Sequence, residues 1–326
     1  MAKDIGNINL HSSKTAKADE FYTQISFIEN ELKHYKNYFH GKTVFCNCDD
    51  PEWSNFWKYF RLNFYELGLK KLISTHYEEE KPSYRMDIVS TDNGEQCGIP
   101  DYVITPLKQN GDFRSPECIE ILKEADVIIT NPPFSLFREY IAQLMEYNKD
   151  FIVVGNQNAI TYRELFPLVM DNKIWLGYNS GHFWFRVPDY YEEKPTDFKI
   201  DENGVKWRRM GNICWFTNID NEKRHEEMIL FHSYDPVKYP NYDNYDAIEV
   251  SRTAEIPCDY YGKMGVPITF MDKYNPEQFE IIGNSSTLAG AITDKKTGKV
   301  KPNPQRFYLN GKRMYDRLVI QRKRGS

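Results

Sequence analysis

The sequence predicts an α/β fold: a doubly wound, mostly parallel sheet with helices on both faces, followed by a β-rich C-terminal region. Three observations carry this reading. Strand and helix patterns alternate between residues 43 and 177, the arrangement that builds a parallel sheet covered on both sides. The run Asp126-Val127-Ile128-Ile129-Thr130 is apolar without alternation, as a strand buried on both faces must be. From about residue 178 the texture becomes β-rich and aromatic, and after about 230 it is rich in Tyr, Asn and Pro before turning basic. A boundary near 230 therefore separates a region 1–230 from a region 231–326.

The elements follow in order. Apolar residues at Phe21, Ile25, Ile28, Leu32, Tyr35 and Phe39 recur at helical spacing, predicting a helix over 20–39. Residues 43–46 read as a short buried strand, and 54–64 as an aromatic-faced helix with Ser54 as its cap. Residues 71–75 form the next strand, and the polar, turn-rich stretch 78–106 reads as a meander or insertion. Ser115 caps a helix running to about 124. Strands over 126–130, 151–154 and 173–176 alternate with helices over 136–147 and 162–170. Turns are expected at Asn179-Ser180-Gly181 and Glu202-Asn203-Gly204. Near the C-terminus, Phe307-Tyr308-Leu309 and residues 317–322 read as strands, so the basic tail is expected to fold.

Composition sets the outer bounds. The chain has 326 residues, 40% hydrophobic and 27% charged, values typical of a globular protein with its own core. No run approaches the roughly 18 apolar residues of a membrane span, and Met1-Ala2-Lys3-Asp4 leads into polar residues rather than a signal core. No membrane association is expected. The six cysteines are scattered, which suits reduced thiols in the cytoplasm. Cys46 and Cys48 form a Cys-x-Cys with no second pair at zinc spacing, so no metal site is expected. None of the seven histidines sits in a hydrolase pattern. The net charge of −5 is uneven: from Lys295 to the end there are eleven Lys/Arg against the single acid Asp316. A basic block on an acidic body is the footprint of a phosphate-binding surface.

Asn131-Pro132-Pro133-Phe134 directly follows the buried strand 126–130. On composition alone, Asn-Pro-Pro plus an aromatic occurs in about one such chain in a hundred, and its place at a strand end reduces the odds further. The competing reading is a rigid strand-to-helix turn. The chemistry favours a site. An exocyclic adenine amine is a poor nucleophile because its lone pair is delocalised into the ring. Two acceptors aimed at its N–H groups, the Asn131 side-chain oxygen and the Pro132 carbonyl, draw it towards a tetrahedral geometry. The prolines hold these acceptors rigidly, and Phe134 offers a face for a flipped base. With a methyl donor held in line, positioning supplies most of the catalysis.

This element is shared by amino-methyltransferases, and the chain resembles more specifically the EcoRI-type adenine-specific DNA methyltransferase family. The resemblance spans nearly the whole length. It rests on Asp19-Glu20-Phe21-Tyr22-Thr23, Asn47-Cys48-Asp49-Asp50-Pro51, Gly111-Asp112-Phe113-Arg114-Ser115, TNPPFSLFREY at 130–140, KIWLG at 173–177, YDNYDAI at 242–248 and GVPITFMDKYNPEQF at 265–279. It implies a Rossmann-like methyltransferase fold, with an S-adenosyl-L-methionine-dependent catalytic domain over 1–230 and DNA target recognition over 231–326. The implied reaction is methylation of adenine N6 in double-stranded DNA after base flipping, in GAATTC or a related palindrome. A cognate restriction endonuclease would act on the same site without stable binding.

By that resemblance Asp19, Phe21, Tyr22 and Thr23 cover the methionine part of the cofactor. Asn47, Asp49 and Asp50 follow the first strand, with Asp49 or Asp50 on the methionine amino group. The Gly-x-Gly common at that turn in dinucleotide folds is missing. Asp112 and Phe113 resemble the element that binds and stacks on the cofactor adenine, and Asn131 also lines the cofactor site. Where an acid would meet the ribose the chain shows Thr75-His76-Tyr77, which leaves the ribose partner open. The second face for the flipped base is also open among Phe183, Trp184, Phe185, Trp215 and Phe216. Polar stretches at 189–211 and 235–263 and the basic tail are candidates for DNA contacts. The rival readings are an RNA adenine or protein glutamine methyltransferase, and an inactive DNA-binding module.

Overall fold

The computed structural model describes residues 23–48, 50–78, 82–90, 98–293 and 298–324. The chain divides into two compact units, one of Met1–Asn156 with Leu176–Ile219, the other of Gln157–Trp175 with Asp220–Ser326.

The first unit is built on a nine-stranded sheet. Its strands are β1 (Thr43–Cys46), β2 (Lys71–Thr75), β3 (Tyr84–Val89), β4 (Val103–Pro106), β5 (Val127–Thr130), β6 (Asp150–Asn156), β7 (Trp175–Arg186), β8 (Phe198–Ile200) and β9 (Lys206–Thr217). The order is β4-β3-β2-β1-β5-β6-β9-β7, with β8 paired to β9. The central four strands run parallel: β2 with β1, β1 with β5, β5 with β6. β1 and β5 are buried at every position, which explains their apolar, non-alternating sequences. The stretch read as a meander supplies β3 and β4, which extend the sheet antiparallel beyond β2. On the other side β9 runs antiparallel to β6.

The predicted α/β architecture is therefore present, and its helices begin where the capping residues place them. Helix α1 (Ile25–Leu32) continues as a tighter 3₁₀ segment, Lys33–Phe39. Ser54 caps α2 (Asn55–Leu62), its hydroxyl accepting from the N–H groups of Phe56 and Trp57. Ser115 caps α3 (Pro116–Glu124) through the N–H of Cys118, with Pro116 at the first helical position. Helix α4 (Phe137–Glu146) follows β5 and a single 3₁₀ turn, Phe134–Leu136. Phe27 and Phe56 both pack on the buried Trp215 ring, at 5.0 and 6.0 Å between centres, joining α1 and α2 to β9. Each such side chain stabilises the fold by about 1.5–3 kcal/mol.

Two local expectations fail for identifiable reasons. The helix read over 162–170 is a 3₁₀ segment, Gln157–Thr161, followed by a five-residue helix α5 (Phe166–Met170). Pro167 lacks an N–H and fits only a first turn, so the helix starts there. The turn read at 179–181 is part of the long strand β7. Gly181 (φ +138°) takes a conformation closed to other residues and lets the strand run on. The Glu202-Asn203-Gly204 turn forms as read, with the Asp201 carboxylate accepting from the N–H groups of Asn203 and Val205.

Glu31 on α1 is buried, and its carboxylate accepts from the N–H groups of Tyr178 (2.8 Å) and Asn179 (2.9 Å) and from the Asn179 amide (2.8 Å). A Cβ at Gly177 would overlap the same carboxylate. The glycine of the KIWLG string is thus the gap through which α1 grips β7.

The second unit carries a five-stranded sheet of β10 (Asn241–Tyr242), β11 (Tyr245–Glu249), β12 (Lys263–Val266), β13 (Phe279–Asn284) and the C-terminal strand. Two small ladders pair β14 (Ile292–Thr293) with β15 (Val300–Lys301), and β16 (Tyr308–Leu309) with β17 (Lys312–Arg313). The C-terminal strand β18 (Leu318–Arg322) lies between β12 and β13. Part of the tail is therefore core, with Leu318, Val319 and Ile320 fully buried. Arg317 is buried too, paired with Glu249 at 2.8 Å, and the Tyr242 hydroxyl donates to the same carboxylate. Among the described residues no helix is long and apolar enough to cross a membrane.

Candidate functional site

The chain order reverses between β1 and β5: the path leaves β1 for β2 on one side and returns to β5 on the other. Open parallel sheets bind ligands beyond the carboxyl ends of strands at such a switch point. Asn47 directly follows β1 and Asn131 directly follows β5, and the register that pairs Phe45 with Ile128 sets Asn47 beside Thr130. The Thr130 hydroxyl donates to the Asn47 carbonyl, and the Tyr140 hydroxyl of α4 donates to the Asn47 side-chain oxygen. Asn47, Thr130, Asn131 and Tyr140 are all buried, so the two strand ends and the helix after them form one rigid block.

The turn after β1 does without glycine. Cys48 adopts φ +63°, the left-handed conformation a glycine would supply. The chain then folds back at Asp50, whose carbonyl accepts from the N–H groups of Trp53 (3.0 Å) and Ser54 (2.6 Å). The Asp50 carboxylate accepts from the N–H of Glu52 and lies 3.8 Å from His76 Nε2. Burial pushes the Asp50 carboxyl above its ordinary value, and the hydrogen bond from Glu52 and the nearby His76 offset part of that rise.

His76 follows β2. Its ring stacks on Tyr84, 4.9 Å between centres and 8° from parallel, and its Nδ1 meets the Ser83 hydroxyl at 2.7 Å. Gly111 (φ +79°) packs so closely on the His76 carbonyl that a Cβ there would overlap it. Together with the bond from Glu78 N–H to the Asn110 carbonyl (2.8 Å), this pins the Asp112-Phe113 loop beside the end of β2. The Asp112 carboxylate accepts from Arg114 through both Nε (2.9 Å) and Nη2 (2.6 Å). Burial raises the Asp112 carboxyl, but the Arg114 hydrogen bonds outweigh it and hold the group below its ordinary value. Phe113 is buried and meets Tyr140 edge-on, 5.1 Å between ring centres.

Thr23 is buried at the start of α1. Its carbonyl accepts from the Asn55 amide (2.7 Å), while its hydroxyl has no hydrogen-bond partner among the described residues. Asp19, Phe21, Tyr22 and Asp49 lie outside the described residues. The residues Asn47, Asp50, Asp112, Phe113 and Asn131 thus lie together at the ends of three adjacent parallel strands.

At the Asn-Pro-Pro-Phe element Asn131 and Pro132 are buried, while Pro133 and Phe134 are half-buried. Pro133 (φ −55°, ψ 125°) stops the strand, and its carbonyl accepts from the Leu136 N–H (3.0 Å). Of the aromatics considered for the second face of a base, Phe185, Trp215 and Phe216 are core residues and Phe183 lies against Phe27 (4.1 Å). Trp184 is half-exposed, with Lys199 Nζ over its ring at 4.7 Å. A cleft of about 400 Å³ in this unit is lined by Trp53, Trp207, Lys58 and Arg186 among others.

The sequence reading gives Tyr140 and Gly111 no role of their own and weighs Cys48 only as half of a Cys-x-Cys, although all three lie inside strings that carry the family resemblance. The left-handed turn at Cys48 has no local signal, because a positive φ at cysteine cannot be read from composition.

Fold and site define a methyltransferase of the class that acts on amines. The chain belongs to the EcoRI family of adenine-specific DNA methyltransferases. The family described as "Adenine-specific methyltransferase EcoRI" matches residues 9–323. The chain is 44% identical to the type II methyltransferase M.EcoRI of Escherichia coli, covering 99% of both chains. It is 38% identical to the type II methyltransferase M.MgeORF184P of Mycoplasma genitalium, over 96% of this chain and 98% of the relative. It is 36% identical to the type II methyltransferase M.MpnI of Mycoplasma pneumoniae, over 95% and 97% respectively. No solved structure matches the chain.

Proposed function

We propose that this enzyme uses S-adenosyl-L-methionine to methylate N6 of an adenine flipped out of double-stranded DNA, within GAATTC or a related palindrome. The observation that carries the reading is the placing of Asn131 and Pro132 at the end of the buried strand β5, at the switch point beside the β1 turn.

The residues at the switch point fit that cofactor. The donor set is acidic where a sulfonium and an ammonium need it: Asp50 is a half-buried carboxylate whose raised value a neighbouring cation would bring down. The buried Thr23 hydroxyl lacks a partner that a ligand could provide. In this reading Thr23, Asn47 and Asp50 hold the methionine part, Asp112 and Phe113 the adenine. Asp112 keeps acceptor capacity beside Arg114, because an ionised carboxylate has about four lone-pair sites. The bound cofactor supplies an electrophilic methyl group on a sulfonium.

The remaining chemistry belongs to the chain. The Asn131 side-chain oxygen and the Pro132 carbonyl accept the two N–H groups of the target amine and localise its lone pair. Fixed by the prolines and by the buried strand behind them, they need no reorganisation during the reaction. Phe134 stacks on one face of the flipped base, and Trp184, which is half-exposed and not packed on Phe27 as Phe183 is, is assigned to the other. Residues 1–230, which include all of the first compact unit, act as the catalytic domain. Residues 231–326, which fall wholly within the second, serve target recognition. The enzyme is placed in the cytoplasm, where a restriction endonuclease would share its site without stable binding.

Transfer of labelled methyl groups to duplexes with and without GAATTC tests this reading. Incorporation confined to the adenines of one short motif is expected. Incorporation into RNA or protein instead of DNA would overturn it.

A further inference from the structure

The string YDNYDAI at 242–248 has no part in the chemistry above, and the second unit shows what it does. Tyr242 pairs with Tyr245 across a two-residue turn, Asp243-Asn244, between β10 and β11. That turn grips another. β16 and β17 form a hairpin closed by Asn310 (φ +51°) and Gly311 (φ +75°), the pair that a tight two-residue hairpin requires. The Asp243 carboxylate accepts from the N–H groups of Asn310 (3.2 Å) and Gly311 (2.7 Å), and its own N–H donates to the Tyr308 carbonyl (2.8 Å). Asn244 accepts from the Tyr308 N–H (2.9 Å) and donates to the Arg306 carbonyl (3.1 Å). Phe307, fully buried, stacks on Tyr245 (5.1 Å, 13°) and lies against Tyr242 (4.5 Å).

The hairpin so held presents cations. Among the described residues Lys312 and Arg313 are exposed and have no ion-pair partner. Tyr315, just beyond them, is 86% exposed. The neighbouring cations are spent internally: Arg306 pairs with Asp316 at 2.7 Å and Arg317 with buried Glu249. A basic segment in which some charges are neutralised and two are held out on a braced two-stranded ribbon is organised for an anionic partner. The major groove of DNA admits a ribbon of that width.

We infer that the Tyr308–Arg313 hairpin is a preformed DNA-contacting finger, with Lys312 and Arg313 on the phosphates and Tyr315 against the groove wall. Asp243 is its positioning residue. The inference rests on the DNA methyltransferase reading and adds to it the element that meets the duplex.

The test is equilibrium binding of the full chain to a target duplex across a salt series, with methyl transfer measured alongside. Taking one cation off a phosphate should reduce the slope of log K against log salt by about 0.9, so Lys312→Ala/Arg313→Ala should reduce it by about two. Cofactor affinity and thermal stability should stay at parental values. Arg306→Gln, which also removes a positive charge but from an internal pair, should leave the slope unchanged. Tyr315→Ala should weaken binding without altering the slope. A double variant with parental slope and affinity, in a parent that binds DNA, would overturn the finger alone. A parent with no salt-dependent DNA binding would overturn the DNA reading and the finger with it.

Discussion

The Tyr140 hydroxyl of α4 donates to the side-chain oxygen of Asn47 at the end of β1. Both residues are buried, so this bond ties the helix that follows the Asn-Pro-Pro-Phe element to the turn at which the cofactor is proposed to bind. Tyr140→Phe keeps the ring against Phe113 but strands a buried acceptor, at a cost of about 1–3 kcal/mol. Part of that cost should appear as weaker S-adenosyl-L-methionine binding in calorimetry, with variant and parent alike in their far-ultraviolet spectra. Parental affinity together with parental stability would remove Tyr140 from the site.

Gly111 offers a separate handle on the proposed adenine side of the cofactor site. Its φ of +79° and its contact with the His76 carbonyl leave no room for a Cβ. Gly111→Ala should displace the Asp112-Phe113 loop and weaken cofactor binding at least tenfold, an order of magnitude that corresponds to about 1.4 kcal/mol. A cofactor titration gives the answer directly. An unchanged constant would mean that the loop does not touch the cofactor.

Asp50 predicts a pH dependence. Burial raises its carboxyl above the ordinary value, so folding favours the neutral form more than the unfolded chain does, and stability from this group is lost as pH rises through the raised value. A cationic ligand needs the ionised form. Cofactor affinity should therefore fall as pH is lowered from neutrality through that value, and Asp50→Asn should bind weakly with a flatter profile. Isothermal titration at a series of pH values measures both. Identical profiles for parent and variant would assign the methionine amino group elsewhere.

The fold was legible in the sequence wherever one physical constraint dominated. β1, β5 and β6 announce themselves because strands covered on both faces tolerate only apolar residues, and Ser54 and Ser115 mark helix starts because orphan N–H groups need acceptors. The candidate site stands out in the sequence at Asn131–Phe134, where unusual residues fall at a strand end. What escaped depends on backbone shape and on long-range partners. Gly181 reads as a turn residue but serves a long strand, and Cys48 hides a left-handed turn. The basic tail reads as one electrostatic block, yet Arg317 is buried against an acid 68 residues away. Trp215 and Phe216 look like base-stacking candidates until β9 is seen to carry them into the core.

Glu31 tests the packing rather than the chemistry. Its two oxygens accept three N–H groups from Tyr178 and Asn179. In Glu31→Gln an amide N–H₂ must replace one of those acceptors and face a donor. A loss of about 1–3 kcal/mol in chemical denaturation is expected. A variant as stable as the parent would show that α1 does not depend on this grip on β7.

The central claim is that Asn131 holds the amine of an adenine in DNA. Single-molecule sequencing of genomic DNA from a methylation-deficient host expressing the chain, with Asn131→Ala as control, tests it most directly. The account predicts N6-methyladenine at one short motif for the parent and none for the variant, while the variant still binds the duplex. Unmodified DNA from a folded, cofactor-binding parent, or parental methylation by Asn131→Ala, would contradict it.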